Sequence, residues 1–333
     1  MLAKDKNRVV IGIDGGGTHT RVMAADFEGK ILAYVEKGAS SIYKGLHARE
    51  NVIQALEQAL EEAEIDRSDI AALTAGIAGL DSEADLEWVE PLTDLPGLHG
   101  VKQHVNDAVI AHSGALLSEP GIIVVSGTGS IIFAVTEDGK RIRNYDLHHY
   151  AASAARFLAY DATYELLAGN VHDNDLELEK SILQFWGVPS VEELSLLAMK
   201  GFISDQRERN RRFAELAPIV TQYALRGSPL AQTVCNRAVH QIMVGVEILA
   251  SYFAQSEVQV ALIGSVANSE YFQRQLASRM REGHKKRYRI VSPAFSPAAG
   301  AVLMALKQLG IVITPQVLEN IASHPRSRPK PEI

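Results

Sequence analysis

A run of three glycines between an acid and a threonine has the composition of a phosphate-binding turn. The residues are Asp14, Gly15, Gly16, Gly17 and Thr18. Consecutive glycines let backbone N–H groups approach an anion closely, because no side chain stands in the way. The Asp14 carboxylate could hold a hydrated Mg²⁺ ion, and the Thr18 hydroxyl could reach a phosphate. A glycine-rich hairpin without a ligand explains the same residues, since Asp-Gly is a common hairpin signal.

A second turn of small residues lies further along the chain. It comprises Ser126, Gly127, Thr128, Gly129 and Ser130, and it adds hydroxyl donors to the backbone N–H groups. One such turn is weak evidence, but two turns in similar sequence surroundings favour a polyphosphate ligand. With such a ligand the protein positions phosphates and does little covalent chemistry itself.

A carboxylate suited to proton transfer is Asp107, which follows a predicted strand that ends near Val105. It could accept a hydroxyl proton during phosphoryl transfer if it lies within hydrogen-bond distance of that hydroxyl. Capping of the helix that follows is the alternative explanation. The residues alone leave both explanations open.

The elements that must position these residues occur in a repeated order. Strand, glycine-rich turn, strand, hairpin and strand are predicted near residues 8–36 and again near 121–143. Further strands are predicted at 70–77, 99–105 and 258–263. Helices are predicted at 47–63, 108–117, 269–282 and 296–309, with long helical segments between 151 and 253. The repeat predicts an α/β protein with two similar domains that face each other.

Composition narrows the functional classes. The chain has 333 residues, and 33 Lys+Arg against 40 Asp+Glu give a formal charge of −7, which argues against a general nucleic-acid or membrane-surface binder. The first residues lack the pattern of a signal peptide, and no apolar run has the length of a membrane span. The single cysteine, Cys235, excludes an internal disulfide and a cysteine-based metal site. A soluble cytoplasmic protein is expected.

Five motifs follow one another in the order IGIDGGGTHTRVMAADFEGKILA, VNDAVIAHSGAL, GIIVVSGTGSIIFAVTEDGK, ALIGSVANSEYF and FSPAAGAVLMAL. They resemble the first phosphate motif, the inter-domain segment, the second phosphate motif, the adenosine motif and the closing helix of one protein family. It is the N-acetylglucosamine kinase-like branch of the BadF/BadG/BcrA/BcrD ATPase family, in the sugar kinase/actin/heat-shock chaperone superfamily. The resemblance covers about residues 8–310.

The resemblance implies two ribonuclease-H-like (actin-like ATPase) domains with a cleft between them. The expected N-terminal domain is 1–113, joined by the tail 311–333, and the expected C-terminal domain is 114–310 with helical insertions. The resemblance also implies closure over Mg-ATP and a homodimer. A hinge is expected near 108–114 and in the closing helix.

The implied reaction is phosphoryl transfer from ATP to a sugar or amino sugar such as N-acetylglucosamine or glucosamine. Asp14 would position the hydrated Mg²⁺ ion, and Asp107 would be the general base. The implied nucleotide-binding residues are Gly15, Gly16, Gly17, Thr18, Gly127, Thr128, Gly129, Gly264, Ser265 and Asn268. On the acceptor side, Gly76, Gly79 and Asp81 fit the family pattern.

The chain departs from the family where the acceptor is expected to bind. The family has a stretch of the form GGWG…GDEGS after the second phosphate hairpin, and its acidic residue binds sugar hydroxyls. Residues 144–155 occupy that place here, and Ala152 stands at the acidic position. The alanine-rich stretch after Tyr150 predicts a helix that begins early. Further upstream, the family usually has an asparagine that contacts the acceptor. In this chain Ser40 or Ser41 could replace that asparagine as a hydrogen-bond donor.

Several polar groups in the chain admit more than one interpretation. His148 and His149, with Asp146 nearby, form a poor chelate because adjacent residues point apart, so these residues are interpreted as a surface or pocket loop. Contact of Asp146, His148 or Tyr150 with a different acceptor is a more plausible alternative than a metal site. The arginines of 207–212 are interpreted as a solvated helix start with phosphate binding as the alternative. Residues 279–289 are interpreted as an exposed helix end and loop, and the tail from His324 as disordered.

Two other functions compete with a kinase. A nucleotide-binding protein with lost or changed activity would explain the altered residues 144–155, although the retained Asp107 argues against it. A family ATPase that activates a dehydratase or reductase would need cysteines for an iron–sulfur cluster, and Cys235 alone cannot supply them.

Overall fold

The computed structural model describes residues 8–41 and 47–329. Its strands are Val9–Gly15 (β1), Thr20–Asp26 (β2), Ile31–Lys37 (β3), Ile70–Ile77 (β4), Val101–Asn106 (β5), Gly121–Ser126 (β6), Ser130–Val135 (β7), Arg141–Arg143 (β8), Glu257–Ile263 (β9) and Arg287–Val291 (β10).

Helices follow the first three strands and fill much of the chain between β8 and β9. They are Ala48–Glu62 (α1), Leu86–Val89 (α2), Asp107–Leu116 (α3), Ala155–Leu167 (α4), Leu176–Trp186 (α5), Val191–Met199 (α6), Gln206–Leu225 (α7), Pro229–Ala250 (α8), Glu270–Arg281 (α9), Pro297–Gln308 (α10) and Pro315–Ala322 (α11). Within the described ranges, none of them combines the length and the apolar character needed to cross a membrane.

The strands form two five-stranded sheets with the same topology. The first has the order β3-β2-β1-β4-β5, and the second has the order β8-β7-β6-β9-β10. In each sheet the first three strands along the chain are antiparallel, and the two later strands run parallel to the first. The predicted α/β class and the internal repeat are therefore confirmed.

The described residues divide into two compact units, 8–119 with 292–329, and 120–291. This division differs from the expected boundaries, because α3 continues to Leu116 and α10 packs in the first unit. A Cβ at Gly12 of β1 would lie 2.6 Å from backbone atoms of α10 at Ala298 and Val302. Glycine at this position therefore permits the close packing of β1 and α10 that places the closing helix in the first unit.

The first sheet is buried on both faces. Alternate β1 residues Val9, Ile11 and Ile13 belong to the apolar cluster that includes α1, whereas Val10 packs in the cluster formed with α10 and α11. All seven residues of β1 are buried. Since side chains alternate across a strand, a nearly continuous apolar sequence is required at this central position.

In the second unit, helices α4, α7, α8 and α9 share one apolar cluster with the sheet.

The expectation that residues 279–289 form a helix end followed by a loop is wrong from Arg287 onward. Arg287–Val291 forms the edge strand β10, parallel to β9, in the register Tyr288 to Val258. Backbone pairing with β9 makes this charged segment a strand, and charge is common on edge strands.

The prediction of a disordered tail is wrong for its described part. After α11, Pro325–Ser327 forms a short 3₁₀ turn, and Ser327 is fully buried. The Ser296 N–H donates to the Ser327 carbonyl oxygen at 2.7 Å. The tail is therefore fixed to the start of α10. Residues 330–333 of the predicted tail lie outside the described residues.

Candidate active site

The first glycine turn joins β1 to β2 and is fixed at its base by hydrogen bonds. The Gly16 N–H donates to the His19 carbonyl oxygen at 2.8 Å, and the Gly16 carbonyl oxygen accepts from the Ser40 N–H at 3.1 Å. A Cβ at Gly15 would lie 2.5 Å from Ser40 Oγ, so glycine is required there. Thr18 is exposed at the tip. The base of the turn is therefore ordered by its neighbours, and its tip is accessible.

Asp14 lies at the start of this turn and is 7% exposed. Arg21 Nη1 donates to Asp14 Oδ2 at 2.9 Å. Burial raises the pKa of Asp14 above its ordinary value, and the Arg21 guanidinium opposes that shift. Arg21 is not among the residues predicted from the sequence. Pairing of β1 and β2 across the turn places it directly opposite Asp14, so the hairpin register could have identified it.

Asp107 is the first residue of α3, in the same unit. The cap of the helix is Asn106, whose Oδ1 accepts from the Ala108 N–H at 3.0 Å. Asn106 therefore performs the capping role that was the alternative explanation for Asp107. Burial, and secondly the charge of Asp14, raise the pKa of Asp107 to about 6. A carboxylate with a pKa of about 6 is ionised at neutral pH and still basic enough to accept a proton.

Asn106 also connects Asp107 to the acceptor-side loop predicted from the sequence. Its Nδ2 donates to the Leu80 carbonyl oxygen and to Asp81 Oδ1, both at 3.2 Å. Gly79 has a φ of +92°, a conformation that favours glycine. The charge of Asp81 contributes to the raised pKa of Asp107, so the structure brings these two carboxylates near each other.

The upstream acceptor candidates Ser40 and Ser41 are both buried. Ser40 Oγ donates to the Gly16 carbonyl oxygen at 3.4 Å and therefore supports the glycine turn. Ile42 and Tyr43, the next residues along the chain, lie outside the described residues.

The second glycine turn joins β6 to β7 in the other unit. The Gly127 N–H donates to the Gly129 carbonyl oxygen at 2.9 Å. Thr128 and Gly129 are exposed, and a Cβ at Gly129 would meet no atom within 4 Å. In the part of the chain that the structure describes, the backbone N–H groups of these two residues have no hydrogen-bond partner. They are available to an anion.

The segment that departs from the family, residues 144–155, is hydrogen-bonded to this second turn. Ser126 Oγ donates to the Ser153 carbonyl oxygen at 2.6 Å, and the Ala155 N–H donates to the Gly127 carbonyl oxygen at 2.8 Å. Two further bonds join Ser130 Oγ to the Ala151 carbonyl oxygen (2.8 Å) and Arg156 Nη1 to the Thr128 carbonyl oxygen (3.3 Å). Because of these bonds α4 begins only at Ala155, and the prediction of an earlier helix start is wrong. Ala152 itself is exposed.

The adenosine motif lies beside the second turn in the same unit. Gly264 has a φ of +101°, and a Cβ there would lie 2.4 Å from the Ser126 carbonyl oxygen. Asn268 Nδ2 donates to the Gly264 carbonyl oxygen at 3.2 Å and so stabilises the turn after β9. A Cβ at Gly127 would lie 3.4 Å from the Ser265 backbone nitrogen. The two predicted nucleotide motifs of this unit are therefore neighbours.

Other polar candidates have partners of their own. Asp146 accepts from Arg143 Nε at 3.0 Å and Nη2 at 2.8 Å. Arg211 forms ion pairs with Glu208 and Glu215, as expected for a solvated helix start. No group of three potential metal-ligating side chains occurs in residues 8–41 and 47–329, which gives the histidines at 148 and 149 no support as a metal site.

Comparison with known proteins identifies the family. The sequence model that describes the BadF/BadG/BcrA/BcrD ATPase family matches residues 11–305, which is most of the chain. The chain belongs to the BadF/BadG/BcrA/BcrD ATPase family. This confirms the resemblance inferred from the five motifs.

Among relatives of this family member, the N-acetylmuramic acid/N-acetylglucosamine kinase of Clostridium acetobutylicum is 26% identical over 310 residues, which cover 90% of this chain and 98% of that protein. The glucosamine kinase GspK of Vibrio cholerae is 30% identical over 121 residues, 36% of this chain and 41% of that protein. A crystal structure of a candidate N-acetylglucosamine kinase from Chromobacterium violaceum superposes with a TM-score of 0.69 at 27% identity, over 90% of this chain and 99% of that chain. The chain thus shares its fold with that crystal structure.

Proposed function

We propose that this protein is a kinase that transfers the γ-phosphoryl group of Mg-ATP to a hydroxyl group of a sugar or amino sugar. The observation that carries the proposal is Asp107, a carboxylate with a pKa raised to about 6 in the same unit as the first glycine turn. The names of the Clostridium and Vibrio relatives support the acceptor class. N-acetylglucosamine, N-acetylmuramic acid and glucosamine are therefore the first acceptors to test.

In the proposed reaction, Asp107 accepts the proton of the acceptor hydroxyl while the hydroxyl oxygen forms a bond to the γ-phosphorus. The bond from that phosphorus to the β,γ-bridging oxygen breaks, and its electron pair leaves with ADP. In the first unit the backbone N–H groups of Gly17 and Thr18 bind phosphate oxygens, and in the second unit those of Thr128 and Gly129 do so. Gly264, Ser265 and Asn268 form the turn that receives the adenosine.

The residues present fit a magnesium ion. Mg²⁺ prefers hard oxygen ligands and is usually held by one or two carboxylates together with substrate phosphates. Asp14 supplies such a carboxylate beside the first glycine turn, and only its Oδ2 is engaged by Arg21. When bound, the ion neutralises negative charge on the phosphates.

A nucleotide-binding protein without phosphoryl transfer is the second candidate. The observation in its favour is Ala152, which has neither an acceptor nor a donor in its side chain where the family resemblance implies an acid. Under this alternative, residues 144–155 serve only to order the second glycine turn through the hydrogen bonds described above.

The homodimer, the cytoplasmic location and the hinge stay predictions.

A coupled ADP-release assay with Mg-ATP and a panel of sugars and amino sugars tests the proposal. We expect turnover with at least one acceptor and a loss of about 10²–10⁴-fold in Asp107→Asn, the usual contribution of a general base. Asp94→Asn is a matched control in the same unit, because the Asp94 side chain is 80% exposed and lies 3.8 Å from Lys102 Nζ, a weak surface pair.

The two candidates predict different outcomes. Turnover in the wild type and in Asp94→Asn that is about 10²–10⁴-fold slower in Asp107→Asn would support the kinase. Tight Mg-ATP binding without turnover on any acceptor of the panel would favour the nucleotide-binding alternative. Absence of ATP binding would contradict both.

A further inference from the structure

Glu36, in β3, contacts three side chains that belong to the first glycine turn and its strands. Arg21 Nε and the Tyr34 hydroxyl lie 3.2 and 3.1 Å from Glu36 Oε2, and His19 Nδ1 lies 3.2 Å from Oε1. His19 is part of the turn itself, with its side chain 47% exposed. Glu36 therefore links the tip of the turn to the two strands beneath it.

Arg21 continues this chain of contacts to Asp14. Its Nη1 donates to Asp14 Oδ2 at 2.9 Å while its Nε faces Glu36, so one guanidinium joins two carboxylates. The side chains of Arg21 and Glu36 are only 30% and 27% exposed. The planar guanidinium presents several donors in fixed directions, and the single ammonium group of lysine cannot reproduce this geometry.

We propose that Arg21 and Glu36 are positioning residues for Asp14. Glu36 holds the guanidinium of Arg21, and Arg21 fixes Oδ2 of Asp14, so that Oδ1 is presented to a metal-bound water in one orientation. The inference rests on the proposed function, because it takes Asp14 as the carboxylate that holds hydrated Mg²⁺. Partners that orient a metal-binding carboxylate commonly contribute about 10–100-fold to metal affinity.

Two substitutions of Arg21 separate positioning from simple electrostatics. If Arg21 acted only by repelling the metal, Arg21→Met would strengthen metal binding. If it acted only by keeping Asp14 ionised, Arg21→Met would weaken binding and Arg21→Lys, which keeps the charge, would restore it in full. If Arg21 positions Asp14, Arg21→Met weakens binding and Arg21→Lys restores it only in part, because the carboxylate loses its fixed orientation in both.

The experiment measures Mn²⁺ binding to the enzyme–ADP complex by electron paramagnetic resonance, and ADP binding in EDTA by calorimetry. We expect Arg21→Met to weaken Mn²⁺ binding by about tenfold or more, with ADP affinity in EDTA nearly unchanged. Arg21→Lys keeps the charge but cannot bridge both carboxylates, and it should recover less than half of the lost binding free energy. Glu36→Gln keeps the Asp14–Arg21 contact and should weaken binding less than Arg21→Met.

Arg237→Met is the matched control. Arg237 also joins two carboxylates, Asp161 at 3.1 Å and Glu165 at 3.0 Å, but it lies in the other unit and in neither glycine turn. It should leave Mn²⁺ binding unchanged. Unchanged or tighter Mn²⁺ binding in Arg21→Met and in Glu36→Gln, with normal binding in the wild type, would overturn the inference alone. Failure of the wild-type ADP complex to bind Mn²⁺ would instead contradict the proposed function and the inference together.

Discussion

Substitution of Asp107 by asparagine should stabilise the first unit at alkaline pH while it slows phosphoryl transfer by about 10²–10⁴-fold. The pKa of Asp107 is raised from 3.8 to about 6, mainly by burial. At about 1.36 kcal/mol per unit, this shift means that ionised Asp107 costs the folded state up to about 3 kcal/mol. Asparagine has nearly the same shape and no charge, so it removes that cost.

The sign of the pH dependence follows from the raised pKa. Protonated Asp107 is favoured in the folded state, so its stabilising contribution is complete below pH 3.8 and disappears as the pH rises through about 6. The advantage of Asp107→Asn over the wild type should therefore be largest near pH 8. It should fall to about half that value near pH 5.

Urea unfolding followed by tryptophan fluorescence measures the difference in unfolding free energy between Asp107→Asn and the wild type in the first unit. The chain has two tryptophans, Trp88 in the first unit and Trp186 in the second. A Trp186→Phe background therefore leaves Trp88 as the reporter. Lower stability of Asp107→Asn at pH 8, or a difference that does not change with pH, would refute the reasoning.

Asp175 provides a contrasting control in the other unit. It is 1% exposed, and its carboxylate accepts from the His172 N–H at 2.9 Å, Ser228 Oγ at 2.6 Å and the Leu230 N–H at 3.1 Å. Asp175→Asn places an amide against some of these donors and should destabilise this unit by about 1–3 kcal/mol. Two aspartates of the same chain should thus respond to the same substitution in opposite directions.

Two further predictions concern turnover and the second nucleotide motif. Because Asp107 must be ionised to accept a proton, kcat/KM should fall below pH about 6 with a slope of one, and a profile that stays flat down to pH 5 would contradict its role as base. Gly264→Ala should raise the KM for ATP and destabilise the second unit, because its Cβ would lie 2.4 Å from the Ser126 carbonyl oxygen at a φ of +101°. Gly227→Ala, at a φ of +96° with nothing within 4 Å, should cost only about 1 kcal/mol and leave ATP binding unchanged, as ATP titrations and unfolding curves of both variants can check.

The local features were accessible from the sequence. Glycine turns after apolar strands, the hairpins and the order of the five motifs predicted both antiparallel meanders and the internal repeat, because turn chemistry and strand alternation depend on neighbouring residues. The same patterns singled out Asp14 and Asp107.

Features that depend on distant residues were predicted poorly. The expected boundary at 310 was wrong because α10 packs against Gly12, which lies at the opposite end of the sequence. Arg287–Val291 forms a strand only because β9 offers it backbone partners, and the helix expected after Tyr150 begins late because serines of the second turn bind the carbonyl oxygens of 151 and 153.

By itself, then, the sequence determined which residues could bind phosphate, metal and proton, since residue type and spacing fix the available chemistry. The tertiary structure alone decided the proton affinity and the orientation of those groups. The pKa of Asp107 depends on its burial and on Asp14, and the orientation of Asp14 depends on Arg21 and Glu36. Burial and contact between strands arise only when the sheet forms, so these properties belong to the fold.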